Sequence, residues 1–243
     1  MSGAWTVADV VAVHDETATA RTIRLHLPGP VHFLPGQHID IRLTAPDGYQ
    51  AVRSYSVAAA APPEGLEITV EELPDGEVSP YLVRDLAVGD QLEVRGPVGG
   101  WFVWRPEETS PVQLIGGGSG VVPLMAMARA HAMVRHPAPF RLLYSVRGPE
   151  SAFFRRELES LARWSENFDL TYVYTRSAPD GLPVGRLDAR TLEASVLNSG
   201  SDPAVYVCGA TGFVEAVSGW LVDLGHSPDR IKTERYGGLG GAS

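Results

Sequence analysis

Residues 111–123 read Pro111-Val112-Gln113-Leu114-Ile115-Gly116-Gly117-Gly118-Ser119-Gly120-Val121-Val122-Pro123. An apolar strand, Pro111–Ile115, runs into a glycine cluster, and an apolar helical run over Val122–Arg135 follows. Strand, tight turn and helix in that order open a βαβ unit, and the chain continues in kind. Strand Phe140–Val146, helix Glu150–Arg163, strand Leu170–Tyr174, helix Asp188–Val196, strand Ala204–Cys208 and helix Gly212–Leu224 alternate to the end of the pattern. Such alternation predicts a doubly wound parallel sheet over residues 111–243, with ligands beyond the carboxyl ends of its strands.

Upstream of Pro111 the period changes. The polar stretch Arg105–Ser110 reads as a linker, and residues 1–104 read as short strands. These are Trp5–Val13, Thr22–Leu27, His38–Leu43, Val52–Val57, Leu66–Val70 and Gln91–Val94, rich in Val, Ile, Leu and Thr. Turn chemistry separates them, as in Pro35-Gly36, Pro46-Asp47-Gly48 and Pro74-Asp75-Gly76. Six short strands with one brief helix, about Ser79–Leu86, predict a closed antiparallel β-barrel, which leaves no exposed strand edge. Two domains follow: a barrel over 1–104 and an α/β sheet over 111–243.

Composition narrows the function. The 243 residues carry 29 acidic and 20 basic side chains, a net charge of −9, which argues against nucleic-acid binding and against docking on anionic lipid. Arg155, Arg156 and Arg163 could still form a local basic patch. The one cysteine, Cys208, leaves no internal disulfide, iron–sulfur cluster or thiolate zinc site, and the seven histidines show no metal-ligand spacing. No metal is expected. Met1–Val10 lacks a signal-peptide pattern, and no apolar run reaches the ~18 residues a membrane span needs. A cytoplasmic monomer is the expectation.

Four short stretches carry chemistry. In the glycine cluster, backbone N–H groups can approach a diphosphate at a helix N-terminus, although glycine also serves tight turns for steric reasons alone. The spacing Gly118-x-Gly120-x-x-Pro123 has proline where the dinucleotide fingerprint has its third glycine. The second strand ends in Tyr144-Ser145-Val146-Arg147 without the usual ribose-binding carboxylate. Arg53-Ser54-Tyr55-Ser56 in a barrel strand sets an arginine and an aromatic on one face. They suit a phosphate and a flat ring, although four residues alone favour an ordinary surface cation beside a barrel aromatic. Cys208-Gly209, at the carboxyl end of the last clear strand, points into the ligand crevice or is a small buried hydrophobe. No neighbouring histidine marks an activated thiolate. Glu234-Arg235-Tyr236-Gly237-Gly238 ends a final strand, and alone it is uninformative.

Together, in this order and over nearly the whole chain, these stretches resemble the ferredoxin–NADP reductase superfamily, in its bacterial branch of FAD-dependent oxygenase-reductase components. Arg53-x-Tyr55-Ser56 resembles the flavin motif, and Gly76-Glu77-Val78-Ser79 through Leu82 the flavin-diphosphate motif. Gly118-x-Gly120-x-x-Pro123 resembles the nicotinamide-diphosphate loop, Cys208-Gly209 the nicotinamide-side motif, and Glu234-Arg235-Tyr236 the terminal Glu-x-aromatic.

The resemblance implies FAD in the barrel, with Tyr55 against the isoalloxazine and Ser56 near its N5. Arg53 and the backbone of Val78 and Ser79 would hold the diphosphate, and Val70, Gly76 and Tyr236 would join the flavin side. It implies NADPH or NADH in the α/β domain, on Gly117, Gly118, Ser119, Gly120, Pro123, Cys208 and Gly209. Ser56, Cys208 and Glu234 would line the place of hydride transfer, with the tail returning towards the flavin. Arg147 and Arg176 could pair with a 2′-phosphate, a lean to NADPH.

Two departures stand out. Glu71 and Glu72 follow Val70 where the family often has a basic residue. The one cysteine and the end at Ser243 leave no fused iron–sulfur domain, so the acceptor is expected to be a separate protein: a ferredoxin, an oxygenase component, a haem protein or a molybdenum protein. A flavin reductase releasing reduced flavin and a non-catalytic flavin-binding module are the rival readings.

Overall fold

The computed structural model describes residues 4–60 and 65–236. The chain divides into two compact units, one of residues up to Arg105 with Met125–Met127 and the other of the remaining residues from Pro106 on. The first is a closed barrel of β1 (Thr6–Thr17), β2 (Ala20–His26), β3 (His38–Thr44), β4 (Gln50–Ala60), β5 (Gly65–Glu71) and β6 (Gln91–Val98). Their order round the barrel is β1-β2-β5-β4-β3-β6, and every pairing is antiparallel. The six-stranded antiparallel barrel expected from the turn spacing is therefore present. Closure turns one face of each strand inward, and Ile23, Leu25, Ile39, Ile41, Leu66, Ile68 and Val94 fill the interior. β1 and β4 run longer than their apolar patterns predict because register shifts near Val10 and Asp15, and near Val57, let the strands bend without ending. One helical turn, Tyr81–Asp85, plugs the barrel through Leu82 and Val83.

The second unit is a five-stranded parallel sheet in the order β11-β10-β7-β8-β9. Its strands are β7 (Val112–Gly117), β8 (Phe140–Val146), β9 (Phe168–Tyr174), β10 (Ala204–Ala210) and β11 (Ile231–Tyr236). The helices are α1 (Val121–Val134), α2 (Arg155–Trp164), α3 (Ala189–Ser195) and α4 (Thr211–Asp223). The central strand β7 is buried along almost its whole length, as a strand covered on both faces must be. Its one polar side chain, Gln113, is satisfied: the amide donates to Arg141 O at 3.1 Å and accepts from Leu197 N at 2.9 Å. α3 and α4 bury Leu192, Val214, Val217 and Leu221 against Ile115, Leu143, Val205 and Val207. α1 and α2 are tied by the Arg129–Glu157 ion pair at 2.7 Å. α2 starts five residues later than its sequence pattern suggests. Pro149–Ser151 forms a separate turn, and Phe154 takes a left-handed φ of 54° before the helix begins. The ring of Phe154, held under the Arg129 guanidinium at 5.0 Å, supplies the packing that offsets that backbone cost.

Candidate cofactor-binding sites

The strand order fixes where a ligand belongs in the second unit. β7 leads through α1 to β8 on one side, while its other neighbour, β10, leads through α4 to β11. The order reverses between β7 and β10, which is the crevice where doubly wound sheets bind ligands. The glycine cluster and Cys208-Gly209 both stand at this point. Gly118–Gly120 forms a short 3₁₀ turn leading directly into α1. A Cβ on Gly120 would lie 2.2 Å from Cys208 O, so only glycine allows the turn to approach β10 this closely. A Cβ on Gly209 would lie 3.1 Å from Gly117 O and 2.9 Å from the Phe213 ring, so the two strand ends are stacked glycine on glycine. Gly118, at φ 55°, has open space where a side chain would go. α1 has no acidic residue in its first turn, and Pro123 sits there, buried. A backbone cradle on an uncapped fourteen-residue helix N-terminus fits a diphosphate.

Cys208 is fully buried and pairs in register with Gly116 on one side and Glu234 on the other. Burial, reinforced by the Glu234 carboxylate, pushes the thiol well above its ordinary pKa, although Tyr236 and the Gly209 N–H hydrogen-bond the sulfur. Cys208 is therefore an un-ionised thiol. Glu234 and Tyr236 are both half-buried on β11. Gly237 and Gly238, the end of that motif, lie outside the described residues.

Arg147 and Arg176 come together, as their places after β8 and β9 require: the Arg176 N–H donates to Arg147 O at 2.8 Å. Both line a cleft of about 500 Å³ with Ser145, Phe213 and Trp220. A third arginine, Arg186, shares it and was not found from the sequence. Its loop folds back on β9, where Gly185 N–H donates to Tyr174 O at 2.9 Å and Val184 bridges Tyr174. All three arginines are exposed, and none has an ion-pair partner among the described residues.

In the barrel, the alternation along β4 holds. Arg53 and Tyr55 pair across to Ile41 and Ile39, and Ser54 and Ser56 pair to Asp40 and His38. Tyr55 packs partly against the barrel core, and burial keeps its phenol protonated far above neutral pH. Arg53, on the same face, is exposed, whereas Ser56 is 4% exposed. Gly76–Ser79 is a closed turn: Gly76 N–H donates to Leu73 O at 2.8 Å, and the Ser79 hydroxyl accepts from Leu73 N–H at 3.0 Å. A Cβ on Gly76 would fall 2.8 Å from that hydroxyl. Val78 is buried and its carbonyl starts the helical turn, while Val70 is a core residue that leaves only its backbone for a ligand. Of the two acidic residues after Val70, Glu72 is paired with Arg84. A half-buried aromatic, a cation on its strand face and a tight turn before a helix fit a flavin with a phosphate tail.

Residues 7–103 match the family model of the oxidoreductase FAD-binding domain, and residues 114–219 that of the oxidoreductase NAD-binding domain. The chain is 33% identical over 234 residues to the glycine betaine monooxygenase reductase subunit of Chromohalobacter salexigens, covering 93% of this chain and 63% of that one. It therefore spans somewhat less than two thirds of that relative's length. The solved structure of an Amycolatopsis cytochrome P450 reductase is 30% identical, with a TM-score of 0.83 over 96% of this chain and 69% of that one. The flavohem-like FAD/NAD-binding domain of a nitric oxide dioxygenase from Vibrio cholerae superposes with a TM-score of 0.87 at 26% identity, covering 98% of this chain and all of that one. Barrel, switch-point glycines and matched domains agree: this chain belongs to the ferredoxin–NADP reductase superfamily, with an FAD-binding barrel followed by an NAD-binding sheet.

Proposed function

We propose that this chain oxidises NADPH at the expense of FAD held by residues 1–104, and delivers the electrons to a separate redox protein. The observation that carries the reading is the glycine-lined switch point between β7 and β10, placed next to a cleft with three arginines that have no ion-pair partner among the described residues. Bound FAD supplies a two-electron acceptor that can release its electrons singly or in pairs. The protein's part is to hold and orient. Gly117, Gly118, Ser119, Gly120 and Pro123 bind the dinucleotide diphosphate through backbone and helix N-terminus. Arg147, Arg176 and Arg186 bind a 2′-phosphate, which NADH lacks. The buried thiol of Cys208, Gly209 and the Glu234 carboxylate form the nicotinamide side, with Cys208 acting as a shape-filling group and not as a nucleophile. On the flavin side Tyr55 stacks on the ring, Ser56 hydrogen-bonds near N5, and Arg53 with the Val78 and Ser79 backbone holds the diphosphate. Val70, Gly76 and Tyr236 complete that side.

The similar proteins named as a monooxygenase reductase subunit and a cytochrome P450 reductase point to an oxygenase system, or a ferredoxin serving one, as the electron acceptor. No helix among the described residues is long and apolar enough to cross a membrane. We place the protein in the cytoplasm, where one unpaired cysteine is unexceptional. Anaerobic addition of NADPH to the FAD-loaded chain should bleach the oxidised-flavin bands within seconds, and faster than NADH. A chain that takes up no FAD overturns the barrel assignment. Faster bleaching by NADH overturns the role of the arginines.

A further inference from the structure

Arg53 already has a partner. One terminal nitrogen donates to Val52 O at 2.8 Å, and the other is ion-paired with the Glu77 carboxylate. Glu77 stands inside the Gly76-x-x-Ser79 turn, so the anion on Arg53 is contributed by the very turn assigned to the flavin diphosphate. The second oxygen of Glu77 accepts from the Tyr49 hydroxyl at 2.7 Å. Tyr49 and Arg53 both lie on the hairpin of β3 and β4, so two side chains of one hairpin clasp the carboxylate. All three side chains are solvent-exposed, and nothing in their packing prevents exchange of one anion for another.

We propose that Glu77 is an internal competitor for the flavin diphosphate, occupying Arg53 and setting the affinity of the barrel for FAD. The inference rests on the flavin reading of Arg53 given above. A diphosphate brought to the guanidinium must either displace the Glu77 carboxylate or lie beside it, and both options weaken binding, through the lost pair or through like-charge repulsion. The hydrogen bond from Tyr49, followed by the charge of Arg53, holds the Glu77 carboxyl below the usual carboxylate range, so the competitor is ionised at any working pH.

FAD titration of the full chain, followed by quenching of flavin fluorescence, tests this with Glu77→Gln, Arg53→Gln and the double variant. Glutamine keeps the volume of Glu77 and the acceptor for Tyr49 while removing the charge. Glu77→Gln should tighten FAD binding by about fivefold at low salt, and the gain should shrink as salt screens the exposed charges. Arg53→Gln should weaken binding by about tenfold, and in that background the Glu77 substitution should change affinity by less than about twofold. Glu77→Ser, which also deletes the carboxylate, should shift affinity in the same direction as Glu77→Gln. Unchanged or weaker FAD binding by Glu77→Gln overturns the proposal, because Glu77 would then be indifferent or would orient Arg53 for the flavin. If Arg53→Gln itself leaves FAD affinity unchanged, the flavin-phosphate role of Arg53 fails instead, and the two failures are distinguishable.

Discussion

The two cofactor sites are built by opposite means. In the sheet, the site is made of backbone held at distances that no side chain tolerates: Gly120 against Cys208 O, and Gly209 against Gly117 O. The arginines of the neighbouring cleft, Arg147, Arg176 and Arg186, which we assign to the dinucleotide, have no ion-pair partner among the described residues. In the barrel, Arg53 on β4 is clasped by Glu77, a carboxylate of the separate Gly76–Ser79 turn. One site is pre-shaped and rigid, with free charge, while the other depends on the exchange of one anion for another. The rigid site should answer to substitution through stability, and the exchangeable site through affinity.

The largest effect should come from the closest contact. Gly120→Ala places a methyl group against backbone that cannot move without parting β10 from β7, and should destabilise the chain by about 3 kcal/mol, the upper range for overpacking. Gly118→Ala meets no neighbouring atom and costs only the left-handed φ, about 1 kcal/mol. Urea unfolding of the two variants checks this. Equal losses would mean that conformational freedom, not close approach, keeps glycine at both places.

The next effect is a pH dependence. The folded chain keeps the Cys208 proton to a higher pH than the unfolded chain, in which a thiol ionises near 8.5. The unfolded state then binds fewer protons, so the stability tied to this thiol is present below about pH 8.5 and is lost as pH rises above it, at up to about 1.4 kcal/mol per unit. Between pH 8 and pH 10 the wild type should lose about 2 kcal/mol more than Cys208→Ala, measured by denaturant titration. Parallel losses would show that the thiol is not shielded.

The free arginines come third. Arg186→Ala should lower kcat/KM for NADPH by about tenfold while leaving NADH within about twofold, since a 2′-phosphate is the one group that distinguishes them. A matching fall with NADH would assign Arg186 to a part shared by both dinucleotides.

Much of this comparison could be read from the sequence, and the rest could not for a definite reason. Strand–glycine–helix at 111–123 and the change of period at Arg105 specify the two architectures because hydrophobic spacing and turn residues are local signals. Gly118, Gly120, Cys208 and Gly209 are visible as motifs, but that Gly120 abuts Cys208 O depends on β7 and β10 being neighbours, about ninety residues apart in the chain. Arg186 depends on a loop return along β9. The Glu77–Arg53 pair depends on register across the barrel, and the sequence alone suggested that Glu71 and Glu72 were the troubling carboxylates. Position, not composition, separates these acids.

That distinction gives the smallest predicted effect. Glu72 and Glu77 are both acidic, both paired with arginine and both close to the turn at Gly76, but they differ in which guanidinium they hold. Glu72 holds Arg84, whose exposed side chain leaves the helical turn, and not Arg53 on the face of Tyr55. Glu72→Gln removes the same unit of charge from the same barrel, yet it should change FAD affinity by less than about twofold, as expected for an exposed charge acting through screened solvent. Comparison with Glu77→Gln in one FAD titration series checks it. If both substitutions tighten binding equally, the net negative charge of the barrel opposes the diphosphate and the placement of Glu77 is incidental. If only Glu77→Gln does, one side chain on one turn sets how firmly this unit keeps its flavin, while the sheet of the other unit relies on backbone that substitution can only break.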